Sequence, residues 1–117
     1  MANTFKVKSN TAMPTSAGSW ETLYTCPSST TTVVLGLILC NIHTASITAD
    51  VQLESNTSDT ETNANVYLVK DVSIPSGSSL EVLSGSKVVL QTTDLIRVDC
   101  DVSAKIDASL SIMEITA

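Results

Sequence analysis

Three cysteines and one histidine are the residues best suited to nucleophilic chemistry. Cys26, Cys40 and Cys100 are odd in number and share no CxxC or other zinc-binding spacing. A catalytic thiol needs a base, and His43, at a polar turn after a predicted strand, is the single histidine. A catalytic Cys–His pair that is brought together by folding is one interpretation of these residues. We expect the cysteines to be small buried hydrophobic residues that stay reduced, and we predict no catalytic residues.

The polar tract at residues 54–65 has part of the pattern of a calcium-binding loop. Oxygen-bearing side chains stand at alternate positions: Asp59, Glu61, Asn63 and Asn65. Such a loop also requires glycine at its sixth position and a bidentate glutamate at its twelfth, where this chain has Ala64 and Lys70. We therefore predict a long solvated loop rather than a metal site.

A second group of acids surrounds a predicted strand near the C-terminus. Asp99 and Asp101 are expected to share one face of that strand with Arg97, and Asp94 precedes it. Facing carboxylates can bind Ca²⁺ or act as acid and base, but glycosidic catalysis needs a defined pair in a cleft. We predict instead a solvated outer face whose charges oppose edge-to-edge association.

Trp20 is the only tryptophan, and the chain has four aromatic residues in total. Sugar-binding modules stack exposed aromatic rings on their ligands, although they generally use several. We expect Trp20 to be a core or interface anchor, with a ligand platform as the alternative. The sequence contains no nucleotide-binding, hydrolase or metalloprotease motif, and we predict no cofactor and no metal.

Charge and composition argue against several classes of protein. The net charge is −6 and no basic cluster exists, so nucleic-acid binding is not expected. The apolar fraction of 43% is too high for a disordered chain. The N-terminal segment lacks the apolar stretch of a secretion signal, and the longest apolar run, residues 33–40, has the length of a strand. We expect a protein made in the cytoplasm that does not enter a membrane.

Strict alternation of apolar and polar residues predicts three strands, each with one wet face. The apolar positions are Ile47, Ala49, Val51, Leu53, Ile96, Val98, Cys100, Val102, Ile106, Ala108, Leu110 and Ile112. After Ile112 the phase slips, because Met113 and Ile115 are apolar while Glu114 is not. A bulge, or an edge position of the last strand, would explain that slip.

Shorter apolar segments predict further strands at residues 20–25, 31–42, 66–69, 79–83 and 87–91. The nearly continuous apolar run at 31–42 indicates a strand covered on both faces. Turn-forming clusters at 75–77 and 84–86 predict a meander over residues 73–102. No helical period is present. About eight short antiparallel strands indicate a sandwich or a barrel, and we predict a single β-sandwich, jelly-roll or Ig-like.

We divide the chain into an N-terminal arm, residues 1–19, and a β-sandwich domain, residues 20–117. Phe5 and Val7 form the strand-like part of the polar arm. The arm can cap an edge of its own sheet or pair with the edge of a neighbour. The predicted core is centred on Val34, Leu37, Leu39, Ile47, Val51, Val98, Leu110 and Ile112.

Five segments of the chain occur in the same order as in a known group of proteins. They are LYTCP (23–27), VLGLILCN (34–41), IPSGSSLEV (74–82), KVVLQTTDLIRV (87–98) and SIMEI (111–115). Over about residues 20–115 the chain resembles small virion structural proteins of tailed bacteriophages, particularly marine ones. Similar proteins carry glycine where this chain has Thr93, so a different turn is expected there. The resemblance implies a β-sandwich subunit of the capsid, neck or tail, with no catalytic residues to transfer.

The leading hypothesis is a non-enzymatic capsid decoration (cement) protein that binds the major capsid protein and stabilises the virion shell. A neck, tail or fibre subunit that binds another virion protein is the alternative, followed by a glycan-binding receptor module, and an enzyme is least favoured. We expect a symmetric homo-oligomer, a trimer, because virions are built from repeated interfaces. Phe5, Val7 and Trp20 are the predicted interface residues.

Overall fold

A computed structural model describes residues 2–56, 63–83 and 86–116 of the chain. These residues form nine β-strands and no helix, which confirms the predicted all-β class. In chain order the strands are β1 (Ala2–Met13), β2 (Glu21–Thr25), β3 (Thr30–Asn41), β4 (Ile47–Glu54), β5 (Val66–Ile74), β6 (Ser79–Glu81), β7 (Val88–Leu90), β8 (Leu95–Cys100) and β9 (Ile106–Thr116).

The strands form two antiparallel sheets in the order of a jelly roll. The larger sheet has the order β1-β9-β3-β6, with β7 also paired to β3, and the smaller has the order β2-β8-β4-β5. The chain therefore folds like one long antiparallel ribbon, in which β1 pairs with β9, β2 with β8, β3 with β6 and β7, and β4 with β5. The predicted β-sandwich is confirmed, and the strand order is that of the jelly roll rather than the Ig-like fold.

The inward positions of both sheets form one hydrophobic core. All eight predicted core residues are at most 1% exposed. Met13, Ile74, Leu90, Ile96 and Ile106 join them, each also at most 1% exposed. Full burial of such a side chain contributes about 1.5–3 kcal/mol. Apolar residues at alternate positions of paired strands thus supply the main stabilisation of the fold.

The prediction that β3 is covered on both faces is wrong for the single chain. Its inward residues are buried, but Ile38 on the outward side is 42% exposed. A β-bulge between Val34 and Gly36 changes the phase of the strand relative to β9. The apolar run of β3 looks continuous in the sequence for two reasons. The inward-pointing positions shift by one residue at this bulge, and several outward-pointing positions are apolar as well.

The predicted meander over residues 73–102 is also wrong. β6 and β7 pair one after the other along the same edge of β3, whereas β8 lies between β2 and β4 in the other sheet. β8 ends at Cys100, so Val102 lies in a turn and does not continue the alternation. Turn residues mark where strands end, but they do not specify which sheet the next strand joins.

Thr93 closes the turn between β7 and β8 in a left-handed conformation, with φ of 71°. Its backbone N–H donates to the Cys26 carbonyl at 2.9 Å, and the N–H of Asp94 donates to the Gln91 carbonyl at 3.0 Å. A β-branched residue rarely adopts positive φ, because its side chain crowds the backbone. These hydrogen bonds hold Thr93 in a conformation that glycine would adopt with less strain.

Candidate interaction surfaces

β9 keeps its alternation to its end, and this places a glutamate inside the sandwich. Ile112 and Glu114 both point inward and are 1% and 6% exposed, while Met113 between them is on the outer side. The predicted phase slip is therefore wrong. β9 lies between β1 and β3, and the bulge belongs to β3. A carboxylate at a core position is costly unless other groups hold it.

The Glu114 carboxylate is held by a polar network that spans both sheets. The Tyr24 hydroxyl donates to one carboxylate oxygen at 2.6 Å, and Lys6 Nζ lies 2.7 Å from the other. The Tyr24 oxygen is 2.8 Å from Thr32 Oγ1, which is 3.3 Å from Cys26 Sγ. The hydrogen bonds from Lys6 and Tyr24 lower the pKa of Glu114. Burial, followed by the hydrogen bond to Glu114, raises the pKa of Tyr24.

Lys6, Tyr24 and Glu114 of this network line a cleft between the neighbouring edges formed by β1 and β2, here called the side cleft. The side cleft has a volume of about 620 Å³, and Lys8, Asn10 and Thr22 also line it. A carboxyl group with a lowered pKa is a weak general acid at neutral pH, and a phenol with a raised pKa is a weak nucleophile. The geometry therefore supports a structural role, in which the network holds β1 against the sandwich.

The structure places the candidate nucleophiles away from activating groups. The backbone N–H of His43 donates to Asn41 Oδ1 at 2.7 Å, and in the described part of the chain no hydrogen bond joins its ring to a thiol. All three cysteines are free, and Cys26 and Cys100 are buried as predicted, whereas Cys40 is partly exposed. Burial raises the pKa of the Cys26 and Cys100 thiols, which disfavours the reactive thiolate.

The three candidate carboxylates near β8 separate in the structure. Asp99 points outward from β8 opposite Asp50, whereas Asp101 lies in the following turn and accepts a backbone hydrogen bond at 2.9 Å. The prediction that Asp99 and Asp101 share a strand face is wrong, because the strand ends between them. Asp94 is 4% exposed and accepts two backbone hydrogen bonds, at 2.8 and 3.0 Å. Asp94 and Asp101 thus act as turn and loop supports.

Metal binding and membrane crossing were both predicted to be absent. Within residues 2–56, 63–83 and 86–116, no group of three or more His, Cys, Asp or Glu side chains is arranged to hold a metal ion. Asp59 and Glu61 of the considered calcium loop lie outside these residues. The same part of the chain contains no helix with the length and apolar character needed to cross a membrane.

Part of the outer face of the larger sheet is an exposed apolar surface. Phe5 and Val7, two of the predicted interface residues, point outward from β1 and are 72% and 68% exposed. Phe5 lies opposite Met113, Met113 opposite Val33, and Val33 opposite Val89, so one apolar row crosses four strands. No side chain in this row is charged. An apolar surface of this kind is typical of a contact with another molecule.

Residues 2–13 of the predicted N-terminal arm form β1, which pairs with β9 of the same chain. Asn10 donates to Glu21 at 2.8 Å and Thr11 to Asp107 at 2.5 Å, so side chains of β1 are tied to both sheets. Lys6 and Lys8 point inward from this edge strand, since they lie opposite inward residues of β9. Inward-pointing charges on an edge disfavour the addition of a further strand.

Trp20, the third predicted interface residue, lies on the outer side of the smaller sheet. Its ring centroid is 5.9 Å from that of Tyr67, and the Arg97 guanidinium lies 5.2 Å from the Trp20 centroid. Lys70 Nζ is 5.5 Å from the centre of the Tyr67 ring. We call these four residues the aromatic cluster. Tyr67 and Lys70 were not predicted from the sequence, because the cluster depends on the pairing of β5 with β4 and of β4 with β8.

No protein-family model, curated protein or solved structure matches the chain. The fold and its surfaces therefore define the class, which is a jelly-roll β-sandwich with an apolar row on the outer face of one sheet and an aromatic cluster on the other. Jelly rolls serve in viral capsids and in lectins alike, and a fold by itself does not decide function.

Proposed function

We propose that the protein is a non-enzymatic structural subunit of a bacteriophage virion, a decoration protein that binds the major capsid protein and stabilises the shell. The observation that carries this proposal is the uncharged apolar row on the larger sheet, which includes Phe5 at 72% and Val89 at 56% exposure. A subunit that binds the assembled shell and not its separated parts stabilises the shell by mass action. The sequence resemblance to small virion proteins supports the same setting.

The arrangement of the polar residues is consistent with a role in assembly. Glu114 fastens β1, Asp94 supports a turn, and the Cys26 thiol is buried in the core. Each of these groups is used to hold the fold. A neck, tail or fibre subunit would use the same apolar surface, and the location of the protein in the particle distinguishes these alternatives.

We also propose that copies of the chain associate as a symmetric homotrimer through the Phe5 and Val7 end of this apolar surface, which leaves the Val89 end for the capsid protein. Each chain carries a net charge of −6, so two copies repel unless they meet at a surface without carboxylates. The row through Phe5, Met113 and Val33 meets that condition. The inward lysines of β1 argue against association by edge-to-edge strand pairing.

The test is a double variant, Phe5→Ser with Val7→Ser, compared with Val66→Ser as the matched control. Val66 is 46% exposed and lies on the smaller sheet, away from the apolar row. We expect the double variant to fold normally but to elute with a mass near 12.3 kDa instead of three times that value. It should also fail to bind shells purified from the source phage, whereas the control should assemble and bind.

Deleting residues 2–18 would also remove Phe5 and Val7, but it is a poorer test of the proposed interface than these point substitutions. That deletion removes Met13, which is fully buried, and uncovers β9, so a loss of binding would not be separable from unfolding. Wild-type assembly and shell binding by the folded double variant would contradict the proposal. Binding to purified tails but not to shells would favour a tail or fibre subunit.

A further inference from the structure

The aromatic cluster on the smaller sheet is preorganised by a fixed arginine. Arg97 Nε donates to Gln52 Oε1 at 2.7 Å, and Arg97 Nη1 lies 3.5 Å from a Glu54 carboxylate oxygen. These partners on β4 hold the guanidinium against the sheet. The Trp20 ring lies over that guanidinium, with 5.2 Å between them, so one ring face is supported by the protein. The indole is partly exposed, and Tyr67 beside it is 47% exposed.

A small hollow adjoins the supported indole. It has a volume of about 150 Å³ and is lined by Thr15, Ser16, Ser19, Trp20 and Glu21. The volume suits a single ring, since sites for drug-sized ligands are about 300–1,000 Å³. Its wall consists of hydroxyl groups and one carboxylate, which accepts hydrogen bonds from the Thr15 N–H and hydroxyl at 2.7 and 3.0 Å. The hollow therefore combines an aromatic side chain with hydrogen-bonding groups.

We propose that the Trp20–Tyr67 surface binds a neutral oligosaccharide. A pyranose ring has an apolar C–H face and a rim of hydroxyl groups, and this matches an aromatic ring bordered by hydroxyl and carboxylate groups. One sugar ring stacks on Trp20 and occupies the hollow, and the next contacts Tyr67. The Trp20 and Tyr67 rings are tilted by 50° with their centroids 5.9 Å apart, so they form an angled surface on which neighbouring sugar units can contact one ring each.

The charges around the surface favour a neutral saccharide over an acidic one. Arg97 is paired with Glu54, and Lys70 lies 3.1 Å from an Asp71 carboxylate oxygen. Both cations of the cluster are therefore paired with neighbouring carboxylates, and the chain as a whole carries a net charge of −6. A polyanionic sugar would meet net repulsion at this surface. The saccharide site is independent of the proposed structural role, which rests on the opposite sheet.

The lone tryptophan makes the test direct, because intrinsic tryptophan fluorescence reports on Trp20 alone. We would titrate the full chain with cellohexaose, chitohexaose and maltohexaose, and with oligogalacturonate as the acidic probe, and confirm binding by calorimetry. We expect a saturable change in emission with at least one neutral probe at millimolar concentration. Tyr67→Ala, which keeps the reporter, should weaken that binding by about tenfold.

Phe5→Ser on the opposite sheet is the matched control, and its affinity should equal that of the wild type. Failure of all three neutral probes in both measurements would overturn the proposal. Unchanged affinity in Tyr67→Ala would overturn it as well, since the site would not include the second ring. Tight binding of oligogalacturonate alone would show that an acidic ligand, and not a neutral one, is recognised.

Discussion

The Tyr24 hydroxyl donates a hydrogen bond to the Glu114 carboxylate at 2.6 Å, across 90 positions of the chain. Tyr24 belongs to β2 in the smaller sheet and Glu114 to β9 in the larger one, and both are buried. The bond thus joins the two layers beside β1, where Lys6 adds the ion pair on the other carboxylate oxygen.

Removing the Tyr24 hydroxyl should destabilise the protein. In Tyr24→Phe the buried carboxylate loses a donor, and a hydrogen bond to a charged group contributes about 1.5–3 kcal/mol. Urea unfolding at neutral pH measures the loss. Tyr67→Phe is the control, because Tyr67 is 47% exposed and lies outside the network. Equal stability of the two variants would show that the Tyr24–Glu114 bond contributes little.

The same network predicts a dependence of stability on pH. The pKa of Glu114 is lowered in the folded protein by Lys6 and Tyr24, relative to an unfolded value of about 4.3. Its stabilising contribution is therefore fully present above that value and is lost as the pH falls through the lower folded pKa. Unfolding free energies from pH 7 to pH 2.5 should fall less steeply for Glu114→Gln than for the wild type. Parallel curves for the two proteins would contradict the assignment.

A charge placed in the core should prevent folding. Val51 is fully buried at the centre of β4, and an unpaired carboxylate there costs several kcal/mol against a total stability of about 5–15 kcal/mol. We expect Val51→Asp to be insoluble on expression. Ser73→Asp, at an exposed position of the neighbouring β5, should express as the wild type does. A soluble and cooperatively folded Val51→Asp would refute the core assignment.

Relief of the strained turn should stabilise the protein. Thr93 holds φ at 71°, and a non-glycine residue in such a conformation costs about 1–3 kcal/mol. We therefore expect Thr93→Gly to raise the melting temperature in calorimetry, because its backbone hydrogen bonds remain possible. Thr92→Gly has no positive φ to relieve and should lower it. The opposite order of the two variants would argue against strain at Thr93.

Thiol reactivity should follow burial. Cys26 and Cys100 are buried and have raised thiol pKa values, whereas Cys40 is partly exposed. One thiol per chain should react quickly with a chromogenic disulfide at neutral pH, and all three should react after denaturation. Cys40→Ser should remove the fast reaction. A fast phase that persists in this variant would mean that one of the other two thiols is accessible.

The β-sandwich class and most of its core were predictable from the sequence, because the direction of a side chain in a strand depends on local alternation. Val51 and Leu110 could be placed in the core because each lies in a segment with period-two alternation. The prediction of Phe5 and Val7 as interface residues also rested on local context, because they form the strand-like pair in a polar N-terminal segment.

The pairing of distant strands was decided by the tertiary structure. Local alternation does not indicate that β1 pairs with β9, nor that β6 and β7 share an edge of β3. In the sequence, Glu114 interrupts the apolar alternation of β9 because it is charged. It nevertheless keeps an inward position, because Tyr24 and Lys6, which lie far away in the sequence, hold its carboxylate. Trp20 and Tyr67 meet for a similar reason, since their contact depends on the register of the strands between them. The sequence by itself determined which side chains turn inward along most strands, and the folding of the whole chain determined which of them meet.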